Sequence, residues 1–158
     1  MAWFWNEGKT QDEVIAYNDG VIALLEEDNR DYADVVNHLN QYYAGETVDI
    51  EKMREALNTF DSTHRDVIIK TGQVTVPDYD TCNAFHVAFV NFLDNSTNII
   101  AAYDVITNHI ESHNPGSEVD LEEIDATLNS LLAKDEALFT EIIDAQILMA
   151  KKFKFDLE

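Results

Sequence analysis

The chain reads as all-α, an up-down-up-down antiparallel four-helix bundle with one extended linker between helices 2 and 3. Three features lead there. Apolar residues recur every three or four positions through four long segments, which is the period of one helix face. Proline and glycine are sparse, two and five in 158 residues, so little interrupts those segments. The breaks after the first and third segments are short, and short connections make antiparallel neighbours. The length suits a single domain over residues 1–158, able to bury roughly 70% of the unfolded chain's surface. Hydrophobic residues make up 46% of the chain, too many for a disordered segment.

The first helix is expected over residues 10–44. Thr10-Gln11-Asp12-Glu13 has the spacing of a capping box, in which the Thr hydroxyl and the Glu side chain satisfy orphan amides. Val14, Tyr17, Val21, Leu24, Tyr32, Val35, Leu39 and Tyr42 then form one stripe, and Gly45 is the stop. Asp19-Gly20 lies inside the pattern without breaking its period. It reads as a weak point costing about 1 kcal/mol relative to Ala within a continuous helix.

The second helix is expected over 48–71, with Ile50, Met53, Leu57, Phe60, Val67 and Ile68 as its stripe and Gly72 as its end. Val74 and Val76 alternate with polar residues, and Val76 precedes Pro77, so this stretch should be extended. The third helix, 78–113, carries Cys82, Phe85, Phe89, Phe92, Ile99, Tyr103, Ile106 and Ile110, and stops at Asn114-Pro115-Gly116. The fourth, 118–155, opens with the cap-like Ser117-Glu118-Val119-Asp120 and continues through Leu121, Ile124, Leu128, Leu131, Leu138, Ile142, Met149 and Phe153. Lys151, Lys152 and Lys154 at its end complement the helix dipole. Helix 2 falls short of helix 1 by about 16 Å. The linker Gly72–Pro77 can span up to about 20 Å, enough to run down the bundle side to the starting end.

Each stripe is interrupted by one polar residue: Asp28, His64, Ser96 and Asp135. Each stands 16 to 18 residues after the start of its segment, so the four should meet at one level. Burying two carboxylates and an imidazole is costly unless they are paired or bind a metal. One reading is a hydrogen-bonded layer, with protonated His64 between Asp28 and Asp135, that fixes helix register. Another is that some of these residues face water at the stripe's edge. The third is a site for an Fe, Mn or Zn ion. Asp61-Ser62-Thr63-His64 has the i, i+3 spacing of the carboxylate–histidine pair in di-metal bundles, with Asp for Glu. Asp28, His64, Asp135 and Asp61 are the candidate ligands, with Glu27, Asp31 and Glu136 as further oxygens. The fourth helix holds no histidine, which leaves the di-metal pattern incomplete.

Other groups carry less. Asn18, His86 and Gln146 fall at a second common level and read as a hydrogen-bonded layer. His109 and His113 are i, i+4 and could share a metal, but a helix end also favours two independent histidines. Cys82, on the apolar face, reads as a buried hydrophobe. A single cysteine builds no internal disulfide. No haem attachment pattern, Gly-rich phosphate loop or nucleophile elbow is present, so no cofactor is implied beyond the metal alternative.

Asp plus Glu number 31 against 10 Lys plus Arg, a net charge of −21. That disfavours nucleic acid, whose phosphates need clustered cations, and anionic membranes for the same reason. It suits a basic protein partner, drawn by long-range attraction. No segment approaches the ~18–20 apolar residues of a membrane span. Trp3, Phe4 and Trp5 are apolar but too few for a signal peptide's core. As written the chain reads as cytoplasmic, or as exported or lipid-anchored if an N-terminal signal has been removed. Ala16-Tyr17-Asn18-Asp19-Gly20-Val21-Ile22 resembles the first-helix start of small exported helical lipoproteins, which implies export. The functional reading is a non-enzymatic acidic bundle that binds or scaffolds. The alternative is a metal-binding bundle with a mid-bundle Asp/His site.

Overall fold

The computed structural model describes residues 2–112 and 122–157, with side chains from residue 8 onward. Five helical segments follow in order: α1 (Ala2–Asn29), α2 (Tyr32–Tyr43), α3 (Ile50–Gly72), α4 (Asp80–Ser112) and α5 (Glu122–Phe153). The first two join as one bent helix, which makes an antiparallel four-helix bundle. Cross-helix bonds fix the directions. Gln11 reaches Phe153 and Asn18 meets Gln146, so α1 and α5 run opposite ways. Arg54 meets Asp104 and His64 meets Thr97, so α3 opposes α4. Asn95 meets Asp135 and Phe92 packs on Phe139, so α4 opposes α5.

The start of α1 differs from expectation. The helix begins at Ala2, which places Thr10 inside it rather than at a cap. The interior also differs. α1 runs straight through Asp19-Gly20 and breaks instead at Arg30–Asp31. The physical reason is tertiary. Asp28-Asn29-Arg30-Asp31 is a weak helix-forming run, and the Asp31 side chain makes no local cap bond. Asp31 directs its carboxylate to Thr63, whose hydroxyl donates to it (2.6 Å), while Arg30 bridges Asp31 and Thr63 (both 3.1 Å). The bend is therefore pinned to α3 by side chains.

Gly45 ends α2 in the left-handed region (φ 74°), where glycine carries no Cβ penalty. Asp49 caps α3 by accepting from the Lys52 amide (3.1 Å). Gly72 is the last helical residue of α3, and residues 74–77 are non-helical. Val74 and Val76 pack partly buried against the core there, closing the side that α3 does not reach. At the far end of α5, Lys154 turns left-handed (φ 57°) and the Phe155 amide bonds back to Ala150 (3.2 Å). The Gln11 side-chain amide donates to the Phe153 and Lys154 carbonyls (3.0 and 2.8 Å), sealing that helix end onto α1. The expected start at Ser117–Asp120 lies outside the described residues.

The core divides into two clusters. The lower one joins Val14, Tyr17 and Val21 of α1 to Phe85, Phe89 and Phe92 of α4 and Ile142 and Met149 of α5. The upper one joins Val35 and Leu39 of α2 to Met53, Leu57 and Phe60 of α3, Tyr103 and Ile106 of α4, and Leu128 of α5. The expected stripes supply nearly all of both. Ile68 is a departure: it is exposed, because His64, Val67 and Thr71 define the inward face of α3 and Ile68 stands off it. Among the described residues, no helix is long and apolar enough to cross a membrane.

Candidate functional site: a polar layer between two cores

The four stripe interruptions fall between the two clusters. Asp28 lies in the last turn of α1 and His64 in the middle of α3, each 1% exposed. His64 Nδ1 and Asp28 Oδ1 stand 2.6 Å apart. The other ring nitrogen, Nε2, meets the Thr97 hydroxyl at 2.8 Å. A carboxylate accepts, so Nδ1–H donates to Asp28. The Thr97 hydroxyl closes the other side of the ring, and it also stands 3.2 Å from the Leu93 carbonyl of its own helix.

Asp135 does not complete that bond chain. His64 sits between Asp28 and Thr97 rather than between the two aspartates. Asp135, on α5, accepts instead from the Asn95 amide (3.4 Å), which also donates to the Leu131 carbonyl (3.1 Å). Burial raises the Asp135 carboxyl above its usual range. The Asn95 bond pulls the other way, and the charge of Asp28 adds a further push upward. Asp135 thus shares the level of Asp28 electrostatically without touching His64. Ser96 turns back to the Phe92 carbonyl (3.1 Å).

The geometry of a helix explains this exchange of partners. Successive residues are about 100° apart. Asn95 therefore reaches α5, Ser96 faces its own helix, and Thr97 reaches α3. The sequence pattern singled out Ser96 at the centre of the stripe. The flanking Asn95 and Thr97 make the cross-helix bonds, and their signal was the run of five polar residues, Asp94 to Asn98, that interrupts the helix.

Asp61 lies apart from the layer. It accepts from Arg65 Nε one turn on (2.9 Å), on the outer side of α3. The Asp-x-x-His spacing is present, but the two side chains serve different neighbours. Glu27 pairs with Lys70 (2.6 Å), Asp31 with Arg30 and Thr63, and Glu136 is exposed. Among the described residues, no group of three or more His, Cys, Asp or Glu is arranged to hold a metal ion.

At the second level, Gln146 donates to Asn18 Oδ1 (2.8 Å). His86 stands against the Tyr17 ring rather than in that bond, and burial lowers its pKa. Cys82 is fully buried, and burial pushes its thiol up, which keeps it in the thiol form. His113 lies outside the described residues.

Two concavities mark the surface. One is a shallow depression of about 640 Å³ along α3, bordered by Glu51, Glu55, Asp66 and Glu111. Arg54 on its edge is already paired with Asp104 (2.7 Å) and Glu111 (2.9 Å). The other is a groove of about 360 Å³ beside α2. Compared with protein-family models, with curated proteins and with solved structures, the chain matches none.

Proposed function

We propose that the chain is a non-enzymatic bundle that works by binding, with its acidic outer face docking a basic protein. The observation that carries this reading is the −21 charge. Its distribution supports it: on the α3 depression four carboxylates meet one arginine, and that arginine is already in two ion pairs. Such a field speeds encounter with a cationic partner and repels nucleic acid. The polar layer, in this reading, sets the register of the helices rather than performing chemistry. Fe, Mn or Zn binding at Asp28, His64, Asp135 and Asp61 is the rival, and the separation of Asp61 from His64 weighs against it.

The test is cross-linking in native cells followed by kinetics with the captured protein. A basic partner should bind at one-to-one stoichiometry, with an association rate that falls as salt rises. Neutralising Glu51, Glu55 and Asp66 together, as E51Q, E55Q and D66N, should slow association by about tenfold. An unchanged rate, or turnover by the chain alone, would overturn the reading. Elemental analysis of untagged protein addresses the rival: stoichiometric metal would revive it.

A further inference from the structure

The bend at Arg30–Asp31 has a second effect. It carries α2 onto α3 and away from the other side of the bundle. Among the described residues, no Cα of α2 lies within 8 Å of a Cα of α4 or α5. Side chains alone bridge that interval, and they leave the 360 Å³ groove between the three helices. Its volume is at the small end of the range for ligand pockets.

The lining is uneven in chemistry. Leu39, Leu128 and Leu132 give it an apolar floor. Tyr32, Tyr43 and Tyr103 line it as well, half of the six tyrosines in the chain. The Tyr32 and Tyr103 hydroxyls bond each other at 3.1 Å, with ring centroids 6.3 Å apart. Tyr43 crosses the interval and donates to Asp125 Oδ1 on α5 (2.5 Å). Burial first, and then these bonds, raise the Tyr43 and Tyr103 hydroxyls well above the usual phenol range, so both rings stay neutral. Among the described residues, Asp125 is the charged residue of the lining, and no basic side chain there neutralises it.

The geometry points to a binding site for a small organic ammonium ion with an apolar body. Aromatic faces attract a cation through their quadrupole, most strongly where water is partly excluded. Asp125 supplies the counter-charge beside them, and the leucine floor takes the apolar part. A neutral ligand would leave the carboxylate's charge, held only by the Tyr43 hydroxyl bond, without a counter-charge. An anion would meet both Asp125 and the field of the whole protein. The site is independent of the proposed protein partner, since its residues lie on α2, α4 and α5 rather than on the α3 depression.

Calorimetric titration with 2-phenylethylammonium tests the assignment, with 2-phenylethanol as the neutral counterpart. The amine should bind saturably at one site, and the alcohol about tenfold or more weakly. Asp125→Asn should weaken the amine about tenfold, and Tyr43→Leu about threefold. Both positions are at the groove's edge, and circular dichroism checks that these variants fold. Glu141→Gln, which removes an exposed charge elsewhere on α5, should leave affinity unchanged. Absence of saturable binding, equal affinity for the alcohol, or equal losses in Asp125→Asn and Glu141→Gln would each overturn the proposal. The last result would reduce the effect to general attraction by an acidic surface.

Discussion

Below the Asp28–His64 layer and above it, one bundle is built in two ways. In the lower half, α1, α4 and α5 enclose Phe85, Phe89, Ile142 and Met149, and two extended valines fill the side where α3 has ended. The ends there are tied, with Gln11 on the carbonyls closing α5. In the upper half, the first helix has broken, α2 leans on α3, and tyrosine hydroxyls span the distance to α4 and α5. The lower half relies on apolar packing. The upper half has its own apolar cluster and adds polar contacts from α2 across to α4 and α5. Close packing leaves no room for a ligand, so the difference teaches where binding is possible and what it costs in cohesion.

The largest expected effect comes from the pair that joins the halves. Asp28→Ala leaves an imidazole buried without its partner and should destabilise by about 3–5 kcal/mol. Replacing both residues, Asp28→Leu with His64→Leu, should cost far less, because no buried polar group is left without its partner. Urea denaturation measures both. Amide exchange then sharpens the comparison: in Asp28→Ala, α2 should lose protection before the lower part of α4. Uniform loss would show that the halves are one cooperative unit.

A smaller effect is expected at Asp135. Its carboxyl is raised in the folded chain by burial, and further by Asp28. Below the ordinary aspartate range, about pH 3.9, folded and unfolded chains both hold the proton and no penalty arises. As pH rises through the raised folded value, stability is lost to the ionised group. Asp135→Asn keeps an acceptor for Asn95 and removes that penalty. It should stabilise by about 0.5–1 kcal/mol at neutral pH, reduced because half the group stays in contact with water. The gain should vanish near pH 3. A gain independent of pH would point to packing rather than charge.

The smallest concerns the lower half alone. Gly20 is helical, and a Cβ there would meet nothing within 4 Å. Gly20→Ala should stabilise by about 0.5–1 kcal/mol through the unfolded state. A thermal melt reads it, and the amide protection of α2 should stay as it was.

Much of this was legible in the residues. The period-3.6 stripes named the core on every helix, because burial and helical geometry act on each position in the same way. Gly45, Gly72 and Val74–Pro77 marked breaks whose causes are local. The level of Asp28 and His64 followed from counting. The bend did not. Arg30–Asp31 fits the helical period, and it opens because Asp31 finds Thr63 some thirty positions away. That is tertiary competition against a weak local preference. The layer's wiring was hidden for a related reason: a stripe locates the inward residue but not which neighbour a flanking Asn95 or Thr97 can reach. The tyrosine groove depends on the bend, so it was out of reach as well.

The Gln11 clamp has a bearing on how the chain is made. Its acceptors stand 142 and 143 positions further along the sequence. Contacts of such separation form late, because the chain between must first be ordered. During synthesis α1 emerges with Val14, Tyr17 and Val21 exposed, and its final neighbour arrives only with α5. Until then the lower face of the nascent chain is an apolar surface only partly covered, by α3 and α4. The heavy acidic load on the other faces is well suited to that interval: like-charged chains waiting for their last helix repel one another before they can stick.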